Sequence, residues 1–225
     1  KLYYGGKSEY ANQKIEDTFL LSLAEGGFQV GELAKCYFPG GHRIETLDYE
    51  EALEQTNELL KQDHVIIYEA AVRYENLYIR ADILIKNEKK IELIEVKAKS
   101  YDSYKDSFFN MNGSIAAAWR PYLYDVAFQK HVLRSAFPNQ SISAYLMMAG
   151  KNAKCPTDGL NQKFKLITND SGRKGVIVSK SLCEDDLAQE ILIRVNVDEC
   201  CEVIYEVGFE TDYGVISFGD YVNYL

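Results

Sequence analysis

Two carboxylates and an ammonium define the chemistry open to this chain: Asp82, then Glu95 and Lys97 two residues apart. They lie in the stretch Leu77 to Lys99, LYIRADILIKNEKKIELIEVKAK, where two runs rich in Ile, Leu and Val flank the polar turn Asn87-Glu88-Lys89-Lys90. Strand side chains alternate faces, so Glu95 and Lys97 point to the same side. Pairing of the two runs as a hairpin brings Asp82 from the neighbouring strand onto that side. Carboxylates so placed repel unless a cation lies between them, and an all-oxygen ligand set suits Mg²⁺ or Mn²⁺. A lysine beside such a cation orients a water or offsets charge building on a phosphate. That is the equipment of metal-assisted phosphodiester hydrolysis. The plain alternative is a solvated strand face with a surface salt bridge.

At these residues the chain resembles the PD-(D/E)XK nuclease superfamily, whose signature is an Asp, a short gap and then (Asp/Glu)-x-Lys. Asp82 and Glu95-Val96-Lys97 fill the pattern, with Ala81 where a Pro usually precedes the Asp. The segments Gly27 to Ala34, Phe38 to Gly41, Tyr68 to Ala71 and Asp125 to Gln129 look like landmarks of its RecB-like exonuclease branch, and of a bacterial family within it related to CRISPR-associated and AddB-type nuclease domains. The resemblance spans roughly residues 20 to 150. It implies a restriction-endonuclease-like α/β core, a mixed central sheet flanked by helices. It also implies Mg²⁺- or Mn²⁺-dependent hydrolysis of DNA, of the exonuclease kind. Asp82 would be a metal ligand, Glu95 a bridging ligand, the Val96 carbonyl an extra oxygen ligand, and Lys97 a water-orienting cation. Glu32 stands where the branch often has a ligating His. Gln129 is present, but Leu133 occupies the position of the Tyr usually found four residues later. These departures, with the chain's acidity, keep a second reading open: a catalytically inactive nuclease-like fold that binds nucleic acid or protein.

Further candidates surround the motif. Glu69 lies in the apolar run VIIYEAAV, where an acid is costly unless paired or metal-bound; it is either a ligand or the outward face of an edge strand. Glu32 is either a ligand or an ordinary helix-surface acid, and Gln129 either a site amide or a helix-surface one. Arg80 shares strand parity with Asp82, so it either contacts a phosphate or forms a plain salt bridge. Lys99 belongs with Lys86, Lys89, Lys90, Lys97 and Lys105 in a basic cluster around the hairpin, and with Arg80 is a candidate substrate contact. Tyr101, Tyr104 and Trp119 are of the type that stacks on unpaired bases, though packing accounts for most aromatics.

These residues need elements to hold them. Residues 11 to 25 read as a helix with Ile15, Phe19, Leu20 and Leu23 at helical spacing, stopped by Gly26-Gly27, with a shorter helical piece from about Val30 to Tyr37. Asp48 followed by Glu51 is an N-terminal signal for a helix to about Gln62. Strands follow from His64 to Arg73, Leu77 to Lys86 and Ile91 to Ala98. The polar, aromatic stretch after Lys99 reads as a loop at the mouth of the site. Pro121 opens a helix to about Ala136 that carries Gln129, and a strand runs from Ser141 to Met148. Residues 1–150 therefore form the core. Residues 151–225, with β-like runs at Phe164 to Thr168 and Val176 to Val178 and a helix-like Asp185 to Ile193, read as an accessory β-rich extension packed on it.

Composition bounds these readings. The chain has 225 residues, 47% hydrophobic and 26% charged, with a net charge of −9. Phosphate-binding surfaces are usually basic, so the charge argues against tight sequence-independent duplex binding. Glu50, Glu51, Glu54 and Glu58 place much of the acid on one helix. No apolar run reaches membrane-spanning length and no signal peptide opens the chain, which predicts a cytoplasmic protein. An opening Lys1 predicts a segment of a longer chain, with further domains or partner proteins outside it. The five cysteines lack a C-x-x-C pair and end in the adjacent Cys200-Cys201, so no iron–sulfur cluster is expected and the thiols are expected reduced.

Overall fold

The computed structural model describes residues 18–168, 174–212 and 214–224. Its centre is a six-stranded mixed sheet in the order β1-β2-β3-β4-β5-β8. The strands are β1 (His42–Arg43), β2 (His64–Tyr74), β3 (Leu77–Asn87), β4 (Lys90–Tyr101), β5 (Ser141–Gly150) and β8 (Leu192–Asn196). The meander β2-β3-β4 is antiparallel, β4 and β5 run parallel, and β8 returns antiparallel along β5. A parallel neighbour requires a crossover. Helix α3 (Arg120–Ala136) supplies it, opened by a proline in its first turn.

Helices cover both faces. On one side α2 (Tyr49–Leu59), α3 and α5 (Asp198–Glu206) enclose Ile67, Leu84, Leu93, Leu123, Leu133, Leu146 and Met148. On the other, α1 (Thr18–Cys36) and the hairpin of β6 (Phe164–Thr168) with β7 (Lys174–Val178) pack over Tyr68, Ile83, Ile94 and Met147. Helix α2 starts as its sequence predicts, with the Asp48 side chain accepting the Glu51 N–H at 2.9 Å. Among the described residues no helix is long and apolar enough to cross a membrane.

Several expectations change. Helix α1 runs through Gly26-Gly27 as one element. Each glycine costs about 1 kcal/mol relative to alanine in a helix, and burial of Leu33 and Ala34 against the sheet outweighs it. The expected helical residues 11–17, and the turn expected at 169–172, lie outside the described residues. The helix expected over Asp185 to Ile193 shrinks to α4 (Glu184–Leu187), and Ile193 instead pairs with Met148 in the sheet. Residues 151–225 are mixed rather than β-rich: besides β6, β7 and β8 they hold α4, α5, the small hairpin β9 (Phe209–Thr211) and β10 (Gly214–Ile216), and α6 (Phe218–Tyr224). One of their strands belongs to the central sheet, so the extension is woven into the core.

Candidate active site

Strand register places three acids in one row. Strands β2 and β3 pair at Tyr68↔Ile83 and Ala70↔Ala81, which sets Glu69 opposite Asp82. Strands β3 and β4 pair up to Ile83↔Ile94, and one further step along that register sets Asp82 beside Glu95. The ladder stops there. In its place the Asp82 carboxylate accepts the Val96 N–H at 2.7 Å, so the two strands part around the acid and remain joined through it. Face alternation also breaks in this row. Ile67 and Ala70 face the same helical layer, as do Ala81 and Leu84. The break coincides with Glu69, which sits at φ 59, a left-handed backbone that is uncommon for a residue with a Cβ. Such an outlier held in mid-strand is a mark of a site.

On the α3 side of the row, four groups form a closed ring. Lys97 Nζ lies 2.5 Å from Glu95 Oε1 and 2.8 Å from Asp125 Oδ2. Gln129 Nε2 donates to Glu95 Oε2 at 2.8 Å and to Asp125 Oδ1 at 3.3 Å. Asp125 and Gln129 are four residues apart on α3, so both reach toward the strand from one helix face. Glu95 and Gln129 are buried, and Gln129 Oε1 has no hydrogen-bond partner.

On the α1 side, Lys35 Nζ bridges Glu32 Oε1 at 3.1 Å and Glu69 Oε1 at 2.9 Å. Arg43 caps the other Glu32 oxygen. The Arg80 guanidinium donates to the Ile44 and Thr46 carbonyls and stands 3.6 Å from Glu69, so it braces the β1 segment and the Glu69 turn. Asp82 lies between the two ion-pair chains.

The charges follow from burial and spacing. Burial, then the Asp82 charge, push the Glu95 carboxyl up to about 8 against the pull of Lys97. Burial raises Asp82 to about 6, helped by the Glu69 charge and opposed by the Val96 hydrogen bond. Burial would lower Lys97, but Glu95 and Asp125 flank it and hold its pKa above the usual lysine value. Burial works to raise Glu32 as well, yet Arg43 and Lys35 keep it below the usual carboxylate range.

Beyond Lys97 the β4–β5 register shifts, leaving Ala98 and Lys99 as a bulge. Bulges re-aim side chains. Here the Lys99 ammonium lies over the rings of Trp119 at 4.6 Å and Tyr122 at 5.0 Å. Tyr101, Phe108 and Trp119 pack on one another with centroids 5.2 to 5.5 Å apart, which gives the 102–119 arm its base. Tyr101 and Trp119 are thus packing residues, while Tyr104 is 88% exposed.

The structure thus gathers Asp82, Glu95, Val96, Lys97 and Gln129 in one cluster, and brings Glu32 and Glu69 to its edge, held by basic partners. Among the described residues, no three His, Cys, Asp or Glu side chains form a ready-made metal cage. Lys86 is instead at the far end of the hairpin, donating to the Leu60 and Gln62 carbonyls. Two site residues escaped sequence reasoning. Asp125 was signalled by its place one turn before Gln129, and Lys35 by its place three residues after Glu32. Of the cysteines, Cys200 and Cys201 are buried thiols, each pushed up to about 12 chiefly by that burial. Comparison with protein-family models, curated proteins and solved structures finds no match to this chain.

Proposed function

We propose that the chain is a Mg²⁺- or Mn²⁺-dependent nuclease of the PD-(D/E)XK type, RecB-like, that hydrolyses phosphodiester bonds of DNA. The observation that carries this reading is that Asp82, bonded to the Val96 N–H, stands in register beside Glu95, which is hydrogen-bonded to Lys97 and Gln129, where β3 and β4 part. The donor set fits a hard divalent cation: it is all oxygen, it holds the half-buried Asp82 beside the buried Glu95, both with raised pKa values, and Gln129 adds an unpartnered buried oxygen.

Asp82 and Glu95 would hold the cation, with the Val96 carbonyl beside them. A bound divalent cation supplies Lewis acidity toward the scissile phosphate and a water of lowered pKa. The remaining work belongs to the chain. Gln129 fixes one Glu95 oxygen, which sets the direction of the other. Lys97 keeps its proton, since two acids flank it, so it acts as a fixed positive charge toward water or phosphate and not as a base. Lys99, set over Trp119 and Tyr122, would meet the phosphates of a bound strand. Tyr104 offers an open ring for a base of that strand.

The test is cleavage of end-labelled single- and double-stranded DNA with Mg²⁺ or Mn²⁺. Asp82→Ala is expected to abolish cleavage with the circular dichroism unchanged, and Lys97→Ala to lose rate while metal still raises the melting temperature. Cleavage that survives in EDTA or in Asp82→Ala refutes the proposal. One observation favours the inactive binding module instead: Lys35 and Arg43 occupy Glu32, and Lys97 occupies Glu95. Titrating Mn²⁺ while following thermal stability separates the two readings, because a working site is stabilised increasingly, roughly with the logarithm of metal concentration above Kd, and an inactive one is not.

A further inference from the structure

We propose that Asp125 is a positioning residue for Lys97, holding the ammonium at the site once a divalent cation has taken Glu95. This rests on the nuclease reading. Without a cation, Lys97 Nζ contacts two carboxyl groups, Glu95 at 2.5 Å and Asp125 at 2.8 Å. A cation held by Asp82 and Glu95 would compete with Lys97 for the Glu95 carboxylate and repel the ammonium beside it. A lysine released from one anchor has a flexible four-carbon stem and leaves its working position unless a second anion keeps it. Among the described residues, Asp125 is the other carboxylate in contact with Lys97.

The geometry suits that task. Asp125 is on α3, not on the strand that carries Glu95 and Lys97, so its place does not depend on how β4 adjusts to the cation. Its side chain is 41% exposed, at the mouth of the site, while Glu95 lies inside. Its second oxygen accepts from Gln129, the buried amide that also fixes Glu95. The ring Gln129–Asp125–Lys97–Glu95 therefore has one edge, Lys97 to Glu95, that a cation opens. The Lys97–Asp125 edge is left intact, and the ammonium stays a fixed distance from α3.

The experiment uses Asp125→Asn, which keeps the shape and the Gln129 contact but removes the charge. The readout is the nitrogen-15 NMR signal of the Lys97 ammonium, seen only while its protons are held from exchange and assigned by its loss in Lys97→Arg. Wild-type protein is expected to keep the signal with and without saturating Mg²⁺. Asp125→Asn is expected to keep it without Mg²⁺, on Glu95, and to lose it with Mg²⁺. The Mg²⁺-induced rise in melting temperature should be unchanged in the variant, kcat should fall roughly 10-fold or more with KM little altered, and Asp125→Glu should restore part of it. A Mg²⁺-loaded Asp125→Asn protein that retains the signal overturns the assignment. So does loss of the Mg²⁺-induced stabilisation in that variant, which would make Asp125 a ligand. A wild-type protein with no response to Mg²⁺ overturns the nuclease reading together with this one, and that outcome is distinct from the other two.

Discussion

Replacing Glu95 by Gln should stabilise the metal-free protein at alkaline pH and leave it little changed in acid. Glu95 is buried, and its carboxyl is pushed up to about 8 from an ordinary 4.5, first by burial and then by the Asp82 charge. The folded state therefore binds more protons than the unfolded one between those two values. Stability contributed by the neutral carboxyl is complete below about 4.5 and is lost as pH rises through about 8. At about 1.4 kcal/mol per pH unit the gap sets a ceiling on the order of 5 kcal/mol. Linked titration of Asp82 and relaxation around Lys97 reduce this, so 2 to 4 kcal/mol is an order-of-magnitude expectation at pH 9. Gln mimics the neutral acid and retains an oxygen for the Gln129 donor, so it escapes the loss. For a chain this long, 1 kcal/mol moves the melting temperature about 2 to 4 °C. The assay is urea unfolding in EDTA at half-unit steps from pH 5 to 9. Glu95→Gln should gain on wild type steadily from about pH 5 and flatten above about pH 8. Parallel curves for the two proteins would refute the reasoning, since they would mean that Glu95 ionises in the folded state as easily as in the unfolded one.

Two further outcomes are expected. At Glu69, whose φ is 59, Gly should be nearly neutral in thermal melts because relief of about 1 kcal/mol of backbone strain offsets the lost Lys35 pair, whereas the β-branched Val should cost roughly 2 kcal/mol or more; equal stabilities for the two variants would contradict the strained geometry. Ending the chain after Gly150 removes β8 from β5 and Cys200, Cys201 and Ile204 from the core, so residues 1–150 alone should be insoluble or lack near-ultraviolet dichroism; a soluble fragment with a cooperative melt would show that the sheet does not need its last strand.

The hairpin was legible because every local signal agreed. Two β-branched, apolar runs met at a polar turn, Glu88 there takes the positive φ of a tight reversal, and strand parity alone put Glu95 and Lys97 on one side. The helix start at Asp48 and the opening of α3 at Pro121 were legible for the same reason, since each is decided by a capping residue or a fixed φ. What stayed hidden depends on residues far apart in the chain. Nothing local marks Glu69 as left-handed: Lys35 from α1 and Arg80 from β3 grip its carboxylate once the sheet has formed. The bulge at Ala98 and Lys99 only shifts the β4–β5 register, which resumes at Ser100 and Tyr101, and Tyr101 then packs on the aromatic base of the 102–119 arm. Ile193 reads as helical by spacing to its neighbours, but β5 otherwise leaves an open edge, and pairing Leu192–Asn196 along it satisfies backbone groups that a helix would leave bare. The candidate site shares this division. Its acids and lysine are written in one short stretch of sequence, while the groups that hold them apart, Lys35, Asp125 and the Val96 N–H, are supplied by the fold. Burial is the first reason that Asp82 and Glu95 carry raised pKa values, and their place in one row is the second. The strand register sets Glu69, Asp82 and Glu95 in one row, so the Glu69 charge adds to the rise at Asp82 and the Asp82 charge to the rise at Glu95, against the pull of Lys97.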